Sequence, residues 1–392
     1  MSDFDELKDW FYRCSKCGTC KYIFNQYVPN CPSGERFLFE SYFGSGKILI
    51  GRGLVEKRIS FDDESLLKKI YTCTGCGSCE EQCTAGVREH IVEIVMAIRT
   101  KCIEGGMLIS EHTMMIDGLK KEDNVFSEPK AERGKWAEGL DVKDINRNEV
   151  DVIFHSGCRF AYDEELRNVV RGAVTILKNA GVDVGIAGSE EACCGGRAYE
   201  IGYRGELTKY AEDLSRRVKA SGAKKLVTAC SDCYYTFKRL YPMIGQSLDV
   251  EVLHITKYID DLIKEGRIKP SKDVKMKVTY HDPCHLGRRL SKDQLYEKPR
   301  SVLKSISGLE LIEMDRIRQN AWCCGAGAGV MEAYPDFAIW TAKERILEAK
   351  ETGAKAIVTA CPWCERNFKD AIKEMGGDLK VYDVVELLGQ AV

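Results

Sequence analysis

The chain has 392 residues, 44% hydrophobic and 30% charged, with 58 Lys and Arg against 60 Asp and Glu for a formal charge of −2. That length allows two or three domains with ample core, and a balanced charge without a long basic run offers nucleic acid no footprint. No stretch approaches the roughly 18 consecutive apolar residues of a transmembrane helix, and the acidic start Met1-Ser-Asp-Phe-Asp-Glu lacks the basic and apolar regions of a signal peptide.

These features predict a cytoplasmic protein, held at a membrane only through a partner, in a compartment where thiols stay reduced. Nineteen cysteines in that setting point to metal ligation over disulfides. Eight fall in the first 83 residues and ten in a repeat further on. Cys102 follows an apolar helical run and is expected to be a buried small hydrophobe.

Cys14-Ser-Lys-Cys17-Gly-Thr-Cys20 and Cys73-Thr-Gly-Cys76-Gly-Ser-Cys79 are both C-x2-C-x2-C. Each triplet can hold three irons of a cubane from one loop, with glycines allowing close approach to the sulfides. In two-cluster ferredoxins the trailing cysteine serves the other cluster. By that rule Cys14, Cys17, Cys20 and Cys83 hold one [4Fe–4S] cubane, and Cys73, Cys76, Cys79 and Cys31 hold the second. Thr84 stands after Cys83 where the common motif has Pro, which loosens the local turn but removes no ligand. The alternative is zinc, whose structural sites use two separated pairs of ligands; two matched triplets with two outliers suit paired clusters better. The run Ala85–Arg99 has apolar residues at helical spacing. Residues 1–116 therefore read as a mainly helical, ferredoxin-like module with two cubanes. Residues 117–149, charge-dense and interrupted by Gly and Pro129, are expected to be a surface linker.

From here the sequence repeats. The first copy, residues 150–270, carries Cys158, then Cys193-Cys194-Gly195, then Cys230-Ser-Asp-Cys233. The second, residues 271–392, carries Cys284, Cys323-Cys324-Gly325 and Cys361-Pro-Trp-Cys364. Intervening gaps are 34 and 35 residues in one copy, 38 and 36 in the other. Apolar strands are predicted before each cysteine segment: 150–154, 182–187 and 225–229, then 274–280, 309–314 and 354–360. A helix is predicted over Glu164–Ala180, stopped by Gly181, and the tails 252–259 and 380–387 correspond. Alternating strands and helices imply two tandem α/β domains with parallel sheets. Their cysteines would lie in loops after strand ends, where open sheets place ligand sites.

Five thiolates exceed the four of a regular cubane. Adjacent cysteines diverge, so they suit two irons of a larger cluster better than one small ion. A cluster of lower symmetry, or one with an exchangeable fifth thiolate, is expected, with four-thiolate zinc sites and purely structural clusters as the alternatives. No Gly-x-Gly-x-x-Gly strand–helix fingerprint for a flavin or nicotinamide is evident, so electrons are expected from another subunit.

A two-cluster ferredoxin module followed by two CCG domains resembles the D-subunit family of heterodisulfide reductase. Its wider relatives include iron–sulfur subunits of glycolate, lactate and glycerol-3-phosphate oxidising complexes. The resemblance covers essentially the whole chain. It implies one noncubane [4Fe–4S] cluster on Cys158, Cys193, Cys194, Cys230 and Cys233, and a second on Cys284, Cys323, Cys324, Cys361 and Cys364. It further implies that a disulfide is reduced to two thiols between them, with electrons from a cytochrome, flavoprotein or dehydrogenase partner. The rival is a subunit that only transfers electrons within a larger oxidoreductase.

Thiol release needs protons, and His281 and His285 flank the ligand Cys284 with pKa values near neutrality as free groups. His155 occupies the matching place in the first copy. The alternative for these imidazoles is support of the cluster by hydrogen bonding. Arg159, Arg197 and Arg288 adjoin cysteine motifs and are candidates for binding anionic ends of a substrate. His90, His112 and His254 lie on or beside apolar segments and are read as structural.

Overall fold

In the computed structural model, which describes residues 3–392, short runs rich in Val, Ile and Leu form most of the strands. These are β1 (Lys143–Asp144), β2 (Val152–His155), β3 (Val184–Ile186), β4 (Lys225–Thr228), β5 (Glu251–His254), β6 (Met276–Tyr280), β7 (Leu309–Leu311), β8 (Ala356–Thr359) and β9 (Lys380–Asp383). β2, β3 and β8 are buried along their whole length, as parallel strands covered on both faces by helices must be. Every pairing between them is parallel.

The first sheet runs β1-β3-β2-β4-β5 and the second β7-β6-β8-β9. Without β1 the two orders are the same. In each, the chain leaves the central strand to one side and then crosses to the other, so the order reverses beside β2 and β6. That reversal is where open α/β sheets gather ligands. All six cysteine segments follow the carboxyl ends of β2, β3, β4, β6, β7 and β8.

The helices repeat as well. Arg167–Asn179 ends before Gly181, whose φ of +72° lets the chain turn out of the helix. The corresponding tails are a strand and a helix each: β5 feeds Ile255–Lys264 and β9 feeds Val384–Ala391. His254 and Asp383 cap those helices at matching places, accepting hydrogen bonds from the Thr256 and Val385 amides. Helix Val384–Ala391 of the second domain packs on Arg167–Asn179 of the first, while Ile255–Lys264 of the first packs on Glu297–Lys304 of the second. This reciprocal exchange gives the two domains one continuous hydrophobic core.

The N-terminal module is helical outside its cysteine loops, with Gly44–Val55 and Ile91–Glu104 as its longest helices before Ser110–Glu122. Cys102 is fully buried in its apolar core. A side chain at Gly44 would come within 2.9 Å of Cys79 Cβ, so glycine is what lets that helix lie against the cysteine loop. Arg99 fastens this module to the rest. Fully buried, it donates to the carbonyls of Ile70 and Cys73 on its own side and of Glu200 and Ala328 across the boundary. No helix among the described residues is long and apolar enough to cross a membrane.

One expectation is overturned. Residues 117–149 are not a surface linker: they start inside helix Ser110–Glu122, bury Asn124, Arg133 and Trp136, and end by adding β1 to the edge of the first sheet. Most of their charges do face solvent, but Arg133 meets Glu191 inside the protein and the apolar residues between the charges are buried.

Candidate functional site

Two internal cavities sort the N-terminal cysteines. One is lined by Cys14, Cys17, Cys20 and Cys83, the other by Cys31, Cys73, Cys76 and Cys79, and Ile91 borders both. Each loop thus crosses over to supply its trailing cysteine to the other group. Cys17 is exposed, whereas Cys76 is buried. The first cavity therefore opens to the surface and the second faces the α/β domains.

In the first α/β domain the five sulfurs form a chain of contacts: Cys158 to Cys193, Cys193 to Cys194, Cys194 to Cys233 and Cys233 to Cys230. In the second, Cys323 meets Cys324, Cys324 meets Cys364 and Cys364 meets Cys361, with Cys284 facing Cys323 and Cys324. Nine of these ten cysteines are buried, Cys284 being partly so. Gly195 donates its N–H to Cys193 Sγ at 3.4 Å, and Gly325 donates to Cys323 Sγ at 3.3 Å. Such donors stabilise charge on sulfur. At the first set, the buried His155 Nε2 has no hydrogen-bond partner. Contiguous buried thiols, amides aimed at sulfur and an imidazole nitrogen left open all fit an iron–sulfur group and fit a hydrophobic core poorly.

The two sets differ in their surroundings. At the first, Arg133 donates to Cys158 Sγ at 3.4 Å and to Glu191 at 2.7 Å. Glu191 in turn accepts from the amides of Ser156 and Gly157 and from the Ser156 hydroxyl. Hydrogen bonding from Cys193 and the charge of Arg133 hold the Cys158 thiol at about 7. Against burial, His155 and Arg133 hold Glu191 at about 2. At the second set, Asp282 is clamped by both terminal nitrogens of Arg300, at 2.6 and 2.8 Å. There Cys76 of the N-terminal module touches Cys323, and Thr74 Oγ1 lies 3.4 Å from the same sulfur.

The two sets meet along a seam. Asp232, between Cys230 and Cys233, lies 4.0 Å from Cys361 Sγ. His285 reaches that Asp232 from the second set at 2.7 Å and Glu200 at 3.0 Å, stacked flat on Tyr235. Burial opposes charge on His285, but Glu200 and Asp232 push its pKa well above the ordinary histidine value. His281 is different. Burial and the neighbouring Arg345 push its pKa well below that value, and its Nδ1 accepts from Arg345 Nε at 3.1 Å. A neutral imidazole so placed has no acidic proton to release, which removes His281 as a proton donor. Its ring instead lies with the Cys324 and Cys364 sulfurs inside a 4.8 Å group.

The arginines also separate. Arg159 and Arg197 both stack on Trp363, with guanidinium carbons 4.3 and 3.3 Å from the ring centre. Both therefore stand on the seam. Arg288 does not: it is buried, and its guanidinium is taken up by the carbonyls of Cys76, Gln319 and Ala321. It fastens the Cys73–Cys79 loop to the second domain, and its candidacy as a substrate residue is withdrawn. Arg133 and Glu200 carry no sequence signal because they lie outside the cysteine motifs, and Thr74, though inside one, carries no sign of its contact with Cys323. Asp232 and Trp363 are inside them and visible, though nothing in the spacing gives their roles.

Three comparisons bear on this geometry. A cysteine-rich domain model matches residues 152–238 and 278–369, and a 4Fe-4S dicluster domain model matches residues 10–87. The D subunit of the dihydromethanophenazine:CoB–CoM heterodisulfide reductase of Methanosarcina mazei is 30% identical over 97% of this chain and 93% of its own length. The EtfAB:quinone oxidoreductase of Syntrophomonas wolfei is 31% identical over 82% of this chain and 46% of its own length. A hypothetical protein from Helicobacter pylori shares the fold, with a TM-score of 0.59 at 10% identity, over 90% of this chain and 68% of that one. Cluster-compatible cysteine sets, matched domain models and a full-length relative agree: the chain belongs to the D-subunit family of heterodisulfide reductase, a family of iron–sulfur oxidoreductase subunits.

Proposed function

We propose that this chain reduces a disulfide to two thiols at the seam between its two five-cysteine sets, as the subunit that receives electrons from a redox partner protein. The observation that carries this reading is the seam itself, where Asp232 of the first set meets both Cys361 and the His285 that follows Cys284. Cys14, Cys17, Cys20 and Cys83 would hold one cubane and Cys31, Cys73, Cys76 and Cys79 the other. The two five-cysteine sets would hold noncubane [4Fe–4S] clusters. When bound, these groups would carry electrons singly along the order of the sets and supply two to the S–S bond, with iron to receive each sulfur.

The chain's own residues do the remainder. Burial of nine of the ten cysteines keeps water away from the reacting sulfurs. The Gly195 and Gly325 amides hold negative charge on Cys193 and Cys323. His285 stands between Glu200 and Asp232, beside the seam, where a departing thiolate takes up a proton. Arg159 offers a cation to an anionic substrate end, while Arg197, already bonded to Glu332 at 3.1 Å and to the Ala326 carbonyl at 2.7 Å, holds the seam together. The balance is one disulfide, two electrons and two protons giving two thiols. The CoB–CoM heterodisulfide in the relative's name is the first substrate to try.

One observation favours a second reading, a subunit that only relays electrons: Trp363 lies against both Arg159 and Arg197, so side chains fill part of the seam. Iron and sulfide analysis with EPR during titration by the heterodisulfide separates the two. Disulfide reduction predicts about sixteen irons per chain, four per cluster, and a signal that appears only with disulfide. A full iron complement with no response to any disulfide leaves the relay, and zinc in place of iron removes both.

A further inference from the structure

The face around Cys17 departs from the rest of the surface in two independent ways. Six of the ten large hydrophobic side chains exposed among the described residues lie in one stretch: Tyr12, Tyr22, Phe24, Tyr27, Leu38 and Phe39. Tyr27 is 84% exposed, Leu38 78% and Phe39 70%. This stretch also supplies Cys14, Cys17 and Cys20, three of the four cysteines of the outer cavity. Tyr12 and Tyr22 lie two residues from Cys14 and Cys20, Tyr27 lies near Tyr22 at 6.5 Å between ring centres, and Lys21 pairs with Glu40 beside Phe39. Isolated exposed apolar residues are ordinary, but a concentration of rings on one face marks an interaction site.

The second departure is charge. Residues 12–58 hold seven Lys and Arg that reach the surface, Lys47 being buried, against three Glu, in a chain whose net charge is −2. Two of those three Glu already pair within the stretch, Glu40 with Lys21 and Glu56 with Arg52 and Arg58. Lys16, Arg52 and Arg58 line a surface cleft that opens next to Cys17. The apolar rings and the positive charge thus converge where a cluster-site sulfur reaches the surface.

Resting on the function proposed above, we propose that this face docks an electron-transfer protein with an acidic surface. Its exposed one-electron carrier would meet the outer cubane site at Cys17. One electron leaves the partner's carrier and enters that site, with no bond made and no proton moved, and two such encounters serve one disulfide. An anionic membrane would also attract basic and aromatic residues. The protein partner is favoured because the sulfur at the centre of the face gives an electron an entry point, which lipid headgroups do not use.

A reduced acidic two-[4Fe–4S] ferredoxin serves as the probe, with reduced methyl viologen as a small reductant that needs no docking. Calorimetry on the full-length, cluster-loaded chain should detect binding that weakens as salt is raised from about 0.01 to about 0.15 M, as the Debye length falls from about 30 to about 8 Å. Arg58→Glu, and separately Tyr27→Ser with Phe39→Ser, should each weaken binding and slow reduction by ferredoxin about tenfold at low salt. Iron content and the viologen rate should stay unchanged. Binding that ignores both sets of substitutions overturns the proposal. So does equal slowing with viologen, which would trace the effect to the site and not to docking, or tight binding to phosphatidylserine vesicles without binding to ferredoxin. Absence of iron would defeat the functional reading; full clusters reduced by viologen but indifferent to ferredoxin would defeat the docking proposal alone.

Discussion

The two α/β domains have the same strand order and the same cysteine order, yet different neighbours. Around the first set the anchor is an internal ion pair: Arg133, from the segment that precedes the domain, reaches both Cys158 and Glu191. Around the second set the anchor is another module: Cys76 and Thr74 press on Cys323, and Arg288 ties the Cys76 carbonyl to Ala321. The repeated scaffold fixes where the thiols stand, while the surroundings decide what each set does. The second set is the one joined to the N-terminal cysteine loops, through Cys76. On the function proposed above, the first would be reached across the seam through Asp232 and Cys361, which would make the pair a sequence and not a symmetric couple.

Substitutions can break that comparison, beginning with the largest effects. Cys194→Ser should remove the cluster of the first set alone, lowering iron by about four of about sixteen per chain and abolishing disulfide reduction while the cubane EPR signals persist. Concerted loss of all clusters would show that the sets do not assemble independently. Arg133→Met leaves the buried Glu191 with its Ser156 and Gly157 donors but without its arginine, a loss of up to about 3–5 kcal/mol. Thermal unfolding should register it, and Glu191→Gln in the same chain should restore part of it. The EPR signal of the first set should shift and that of the second should not. Arg288→Met strands the two buried carbonyls of Cys76 and Ala321, each worth about 1–3 kcal/mol when unsatisfied. It should slow reduction of both five-cysteine sets by a cubane-reducing donor, because it loosens the junction at the second.

The smallest effect is a pH response at the helix caps. Burial holds His254 at about 3 in the folded chain, below the free histidine value of about 6.5. The unfolded chain therefore takes up the proton first. The cap's contribution is present above about 6.5 and is lost as pH falls from there towards about 3. The counterpart Asp383 is shifted the opposite way, upwards, by burial and Glu365. Its contribution is complete below the unfolded carboxylate value and is lost as pH rises through the folded one. Acid should thus weaken the first domain before the second, and His254→Asn should flatten the stability slope between about 6.5 and about 3. Tryptophan fluorescence across an acid series with calorimetry at each pH would measure it.

Much of this molecule is legible in its cysteines. Spacing of the triplets and of the CCG segments is a local property, so it marks loops and groups without knowledge of the fold. The predicted strands before each segment also appear, one to three residues shorter, since Val and Ile runs mark strand interiors better than strand ends. Long-range partners are not legible in the same way. Residues 117–149 look like solvated linker because charge there is read as exposure, yet Arg133 sits buried against Glu191 and Lys143–Asp144 joins a sheet. Trp136 and Asn124 are the hints of burial in that segment. Likewise, adjacency of Arg288 to Cys284 suggests a substrate contact, and only the fold reveals three carbonyls already occupying it.

The most direct test of the asymmetric arrangement is rapid freeze-quench EPR on Cys324→Ser, with Cys194→Ser as its mirror. With the second set broken, the cubanes should reduce at the normal rate while the first set stays oxidised. With the first set broken, the second should still reduce. Reduction of the first set at the wild-type rate in Cys324→Ser would contradict entry through the second domain, and with it the reading of the two repeats as successive stations.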